Sequence, residues 1–336
     1  MPRCGSQVIL CGLPVRFDTY KGCSHFCRYC FAQRKKDLSD ISVDETSKAL
    51  RSFIEGGRTV ETNWCDWDIP IHWGGMSDPF QPLEREKKVS LECLKVFAET
   101  GYPFVVSTKG RLITEQPYID LIEKCNCVVQ ISMVCDKYDK LEQGAPTFDE
   151  RLSMVQKVAE RGKRVNIRIQ PFMTEVYNDV MQNIKRFADA GAYGIIVEGM
   201  KFAKKQTGLV KVGGDYVYPK DILERQYVSL RDEAHKHGMK FYCGENRLRA
   251  LGDSLICCGI DGMDGFVGNE YNLCHMINGC KAKPTEKMKE NGTANVMKAL
   301  HQKSAENKNM QSESFAGHMM TYYEKRKEYI KTIFGK

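Results

Sequence analysis

Short apolar runs alternate with longer amphipathic ones along most of this chain. Residues 69–73, 104–107, 128–134, 165–170 and 194–197 are brief, apolar and rich in β-branched side chains, the pattern of buried strands. Residues 15–19 predict another strand ahead of them. Between the strands, residues 85–100, 114–124, 148–161 and 180–190 carry apolar positions at helical spacing. Gly101, Gly162 and Gly191 stand just past three of these helices, where a left-handed C-cap suits glycine. Alternation at this rhythm predicts parallel strands joined by right-handed crossovers, in about six units rather than the eight of a closed barrel.

The pattern changes beyond residue 200. Residues 209–212 and 216–218 flank Gly213-Gly214-Asp215 and predict a β-hairpin. A helix is expected over 219–237, with Pro219 in its first turn, and a further strand over 240–243. Residues 250–282 are irregular and rich in Gly and Cys, 283–314 read as a polar arm, and 319–334 as a docking helix. The expected organisation is a barrel unit over 1–240, with the hairpin inserted near 209–218, and a Cys-rich, basic extension over 241–336.

Composition narrows the class. A 336-residue chain with 42% hydrophobic and 28% charged residues is an ordinary globular protein with one sizeable core. No apolar run approaches the roughly 20 residues of a membrane helix. The stretch 8–15 is short and followed by Arg16 and Asp18, so no signal peptide is read. Fifteen cysteines without a secretion signal point to the reducing cytoplasm and to metal ligation. The net charge of +7 lies mostly in residues 281–336, with twelve Lys/Arg against six Asp/Glu. Such an arm can follow a phosphate backbone or simply be a solvated tail.

Cys23, Cys27 and Cys30 carry the sharpest chemistry, in the spacing C-x3-C-x2-C. Three thiolates can cap three irons of a cubane cluster and leave the fourth open. A zinc site using His25 is the alternative, but His25 lies only two residues from both Cys23 and Cys27, tighter than zinc-finger spacing. A second constellation runs from His72 through Gly74-Gly75-Met76-Ser77-Asp78-Pro79-Phe80-Gln81-Pro82-Leu83-Glu84 at the end of a strand. Its glycines permit a ligand to approach the backbone closely.

The cysteine spacing, with Tyr29 before the last thiol, resembles the signature of the radical S-adenosylmethionine (SAM) superfamily. The run Ser77 to Glu84, together with Ser107-Thr108-Lys109 and Gln130-Ile131-Ser132, resembles its spore photoproduct lyase-like branch. The resemblance implies an α/β partial (β/α)6 barrel with a Cys-rich C-terminal extension. It implies a [4Fe-4S] cluster on Cys23, Cys27 and Cys30, and SAM on the open iron, cleaved to a 5′-deoxyadenosyl radical. It also implies a reducing donor of flavodoxin or ferredoxin type. By motif, Gly74, Gly75 and Asp78 form the turn that meets the SAM amine. Ser77 and Lys109 meet the amine and carboxylate. Ser132 and Arg168 lie over ribose and carboxylate with Gln170 nearby, and Tyr29 and Phe31 lie near adenine. A strand hydroxyl bonded to backbone remains open for Ser132, and a structural salt bridge for Arg168.

One departure matters. Lyases of that branch place a hydrogen-donating cysteine immediately before the serine, where this chain has Met76, whose thioether lacks an S–H. The expected activity is therefore lyase- or isomerase-type rearrangement, modification or repair of a nucleobase, such as a modified pyrimidine in DNA, by another route. Cys135 is the candidate replacement thiol, and Glu245 and Asn246 are expected to face the substrate. Lys211, Tyr216 and Tyr218 of the hairpin are candidate base contacts, or a packed lid. Trp73 is expected in the core, and Trp64 and Trp67 at the rim. Cys243, Cys257, Cys258, Cys274 and Cys280 could hold a second metal or be buried free thiols. The expected partners are a nucleic acid or nucleotide and the electron donor, with no membrane. The alternatives are a radical enzyme acting on a peptide or small metabolite, and a non-catalytic zinc-stabilised nucleic-acid-binding protein.

Overall fold

The computed structural model describes residues 1–5, 10–32, 40–59, 61–62, 65, 68–270, 272–279 and 315–334. Strand β1 (Arg3–Cys4) pairs antiparallel with β2 (Val15–Phe17). The short β3 (Tyr20–Lys21) and β4 (Ser42–Val43) pair with each other on either side of the cysteine loop. Then β5 (Ile71–Trp73), β6 (Phe104–Thr108), β7 (Cys127–Ser132), β8 (Arg164–Phe172) and β9 (Gly194–Gly199) each follow a helical connection. β10 (Val210–Val212) and β11 (Asp215–Val217) form the expected hairpin. β12 (Lys240–Cys243) returns to the main sheet.

The main sheet has the order β1–β2–β5–β6–β7–β8–β9–β12 and is parallel from β2 to β12. This is the expected α/β partial barrel, with β12 as a further parallel strand beside β9. Its outer face packs on the helices. Trp73 is fully buried there, in ring contact with Phe17, Phe80, Phe97 and Phe104. Alternate residues point the other way, so Arg16, His72, Ser107, Gln130 and Arg168 meet inside the barrel.

The helices depart from their sequence pattern where side chains intervene. The run 85–100 is two helices, Glu84–Lys87 and Val89–Thr100, broken at Lys88 with φ 53°. The buried Glu84 carboxylate accepts the N–H of Ser90 and Leu91, both at 2.9 Å, and so caps the second helix. The run 114–124 divides at Pro117 into the 3-10 turn Arg111–Thr114 and the helix Tyr118–Lys124. Helix Phe148–Glu160 opens on a capping box of Thr147 and Glu150. Helix Ser47–Ile54, not expected from the sequence, is short and buries Leu50 and Phe53, three apart on one face.

The Cys-rich segment bridges the gap between the two ends of the sheet. On one side Asp253 accepts the N–H of Phe241 in β12 at 2.9 Å, and its own N–H returns to the Phe241 carbonyl at 2.8 Å. On the other side the N–H of Asn269 donates to Gly12 O, just before β2, at 2.6 Å. Within the barrel, Gln130 donates to Cys258 O at 3.1 Å, and Arg164 to Gly259 O and Asp261 O at 3.1 and 2.6 Å. The C-terminal helix Phe315–Phe334 docks through buried Met319 and Ile330. The polar arm over 283–314, with Trp64, Trp67 and Cys280, lies outside the described residues.

Candidate functional site

Cys23, Cys27 and Cys30 open on one cavity of about 340 Å³, walled by the C-terminal ends of the parallel strands. Their loop is tied down from three directions. Gln81, fully buried, accepts the Ser24 N–H at 2.9 Å and donates to Gly22 O at 3.1 Å. His25 places Nε2 3.1 Å from Asp78 and Nδ1 2.9 Å from Gly144 O. The N–H of Arg28 reaches Leu141 O at 2.8 Å. Both ring nitrogens of His25 are thus engaged, which removes it as a fourth zinc ligand. Among the described residues no three Cys, His, Asp or Glu side chains converge on a single ion. Three thiols on one cavity are what three corners of a cubane cluster require.

Asp78 also accepts the Thr108 hydroxyl at 2.6 Å and the N–H of Lys109 and Phe80 at 2.6 and 2.8 Å. Burial works to raise its pKa, but His25 and these donors outweigh it and hold it at about 2. Its carboxylate ties three loops together at the cavity wall. Gly74 has φ 85°, and a Cβ there would stand 2.5 Å from Ser107 O, so only glycine fits. The Ser77 hydroxyl donates to Tyr20 O at 2.5 Å, and the N–H of Met76 and Ser77 donate to Asp18 at 2.8 and 3.1 Å. Burial raises Asp18 to about 6 despite those two donors.

Lys109 reaches along the wall, its Nζ 3.8 Å from Glu142 and 5.8 Å from the centre of the Tyr29 ring. The Tyr29 hydroxyl donates to Glu142, which also pairs with Arg151 at 2.5 Å. Tyr29 is thus committed to the wall, while Phe31 lines the cavity and is 43% exposed. The floor is a connected polar set. His72 bonds Ser107 at 2.9 Å, and Ser107 donates to Gln130 at 2.8 Å. Arg168 donates to Gln130 at 2.8 Å and to Gln170 at 2.5 Å, and Gln170 donates to Glu198 at 2.7 Å. Glu198 pairs with Lys201 at 2.6 Å. Burial, then the charges of Arg168 and Arg16, hold His72 well below the usual imidazole range. Ser132 lines the same cavity beside Arg168, its register partner. Arg168 bonds neutral side chains rather than a carboxylate, so the salt-bridge alternative does not hold.

Two expectations are corrected, and two open alternatives are narrowed. Cys135 is fully buried and does not line the cavity; burial pushes its thiol up to about 11. Glu245 turns onto Arg247 at 2.9 Å, and Asn246 accepts from Arg249 at 2.5 Å, so neither faces the cavity. In the hairpin, Tyr218 bonds Glu175 at 2.8 Å and packs on Phe202; Asp215, rather than Lys211 or Tyr216, reaches the cavity. The second metal is unsupported. Cys243 and Cys274 point at the carbonyls of Glu245 and Leu10, and the Arg249 guanidinium lies among Cys243, Cys257 and Cys274, a cation where a metal would sit. Sequence reading missed Arg16, Glu198 and Lys201. The available signal was a lone charge at an inward position of an apolar strand, as in Val15-Arg16-Phe17.

The chain belongs to the radical SAM superfamily, which it matches over residues 18–188. That membership makes a [4Fe-4S] cluster and SAM its cofactors. Two uncharacterised relatives, from Mycobacterium bovis and Mycobacterium tuberculosis, are each 24% identical over 212 residues, 58% of this chain and 62% of theirs. The match thus spans less than two thirds of those relatives. A spore photoproduct lyase variant with bound AdoMet and dinucleoside spore photoproduct has a similar fold. Its TM-score is 0.53 at 16% identity, over 68% of this chain and 76% of that one. Streptococcus suis SuiB is similar with a TM-score of 0.50 at 14% identity, over 69% and 49%. No helix among the described residues is long and apolar enough to cross a membrane.

Proposed function

We propose that this radical SAM enzyme rearranges or modifies a nucleobase, with a modified pyrimidine of DNA or a nucleotide as the favoured substrate. The observation that carries the reading is the joining of the three thiols and the Gly74 turn to one cavity with a hydrogen-bonding floor. Cys23, Cys27 and Cys30 would hold the cluster, and Gly74, Gly75, Lys109, Ser132 and Arg168 would surround SAM. When bound, cluster and SAM supply one-electron reductive cleavage and hydrogen-atom abstraction.

The chain's own groups orient and shield. Lys109 offers a cation to a carboxylate. Neutral His72, Gln130 and Gln170 offer donors and acceptors of the kind a base edge uses. Among the described residues no thiol outside the triad lines the cavity, and Met76 has no S–H. This supports a reaction whose last hydrogen does not come from a protein cysteine, unlike repair by a thiol-bearing lyase. The similar fold of a lyase holding a dinucleoside supports a nucleotide over a peptide.

The test is anaerobic reconstitution followed by SAM, dithionite and modified-pyrimidine oligonucleotides. The expected result is 5′-deoxyadenosine formation that rises with the oligonucleotide, and DNA binding that weakens steeply with salt. Formation that responds to peptides and not to nucleic acid would overturn the substrate assignment. Zinc without iron in anaerobically purified protein would overturn the chemistry.

A further inference from the structure

Arg16 projects from β2 into the cavity beside the Gly74-Gly75 turn. Its neighbours Val15 and Phe17 are buried on the helix-facing side, so strand alternation fixes Arg16 inward. Two glycines make room for it. A Cβ on Gly5 would stand 2.7 Å from its Nε, and one on Gly75 3.4 Å from its Cδ. The Nε is buried without an acceptor, and no ion pair holds the guanidinium among the described residues.

The other cations of this cavity are engaged. Lys201 pairs with Glu198 at 2.6 Å, Lys109 leans to Glu142 at 3.8 Å, and Arg168 bonds Gln130 and Gln170. His72, the register partner of Arg16, feels the charges of both Arg16 and Arg168 and stays neutral. The nearest acidic neighbour in sequence, Asp18 just past β2, faces the N–H groups of Met76 and Ser77; it feels the Arg16 charge but makes no ion pair with it. A partly buried guanidinium without a direct ion pair is costly, and an arriving oxyanion relieves that cost through charge-assisted, forked hydrogen bonds.

We infer that Arg16, beside His72, forms an oxyanion subsite on the cavity floor that takes a phosphate group of the substrate. The inference rests on the nucleotide reading above. The SAM carboxylate carries similar chemistry, but Lys109, whose contact with the Arg151-paired Glu142 is loose at 3.8 Å, can turn to it, so the substrate's phosphate is assigned to Arg16.

The experiment measures equilibrium binding to the anaerobic, SAM-free holoenzyme of thymidine 5′-monophosphate, thymidine and inorganic phosphate, and separately of SAM. Wild type is compared with Arg16→Gln and Arg16→Lys. In wild type the nucleotide binds at least about tenfold tighter than the nucleoside, and inorganic phosphate competes. In R16Q that gap closes while SAM affinity holds, and R16K restores part of it. A gap that survives in R16Q overturns the subsite. So does a loss of SAM affinity in R16Q with nucleotide binding intact, which would hand Arg16 to the SAM carboxylate. If R16Q fails to fold, R16K and phosphate competition against wild type decide. Arg16-dependent binding of phosphate and ribose 5-phosphate, with no gain from a base, keeps the subsite and rejects the nucleobase reading. Equal turnover of an oligonucleotide by wild type and R16Q, with an unchanged nucleotide gap, does the reverse.

Discussion

Gln81 has no exposed surface, and its amide serves the cysteine loop at Gly22 and Ser24. Gln81→Ala leaves a buried N–H and a carbonyl unpaired and should cost about 1–3 kcal/mol. Iron retained after anaerobic reconstitution should fall while helical circular dichroism persists; full iron content would contradict this role. Asp18 yields a pH prediction. Because burial raises it to about 6, the native state holds a proton that the unfolded chain releases near pH 4. Its contribution to stability is therefore complete in acid and lost as pH rises through about 6. Asp18→Asn keeps an acceptor but cannot titrate. Relative to wild type it should gain up to about 3 kcal/mol between pH 4 and pH 7, read by paired urea melts. At this scale the sequence announced the groups that sit in motifs: the triad, Gly74, Lys109 and Arg168. It hid Arg16 and Glu198, because one charge within a strand looks alike whether it faces solvent or cavity. It misled at Glu245 and Asn246, because local bonds to Arg247 and Arg249 turn both away.

Glu84 shows how one buried carboxylate shapes whole elements. It accepts the hydroxyls of Tyr20 and Tyr118 and two N–H groups at the start of helix Val89–Thr100. Glu84→Ala strands four donors and should cost about 3 kcal/mol or more, read as a lower urea midpoint with an unchanged slope. The same arrangement forces Lys88 to φ 53°. Lys88→Gly should stabilise the protein by up to about 1 kcal/mol, seen as a higher Tm; a drop would show that the left-handed turn is not strained. Periodicity could not reveal this break, because residues 84–88 are all charged and carry no apolar position to mark where one helix ends and the next begins. It did place the strands to within a few residues, since their buried runs have no exposed face to confuse the pattern.

For the whole molecule, parallel alternation specified the barrel, but nothing in the sequence specified how its ends meet. Cysteine density reads alike for a metal site and for a packed segment, and packing prevails around Arg249. Arg164 anchors that segment through Gly259 O and Asp261 O. Arg164→Ala should cost about 1.5–3 kcal/mol. It should also speed amide exchange in β2 and β12 together while β6 and β7 stay protected; uniform loss of protection would refute the linkage.

Because β2 and β12 share no ladder, the barrel behaves as a belt with a buckle. A change of girth would re-seat one stretch of chain and leave the strand-to-strand hydrogen bonds elsewhere whole. A guest wider than the resting cavity would therefore be admitted at the clasp, between the first and last parallel strands, rather than by prising apart the strands that carry Lys109 and Arg168.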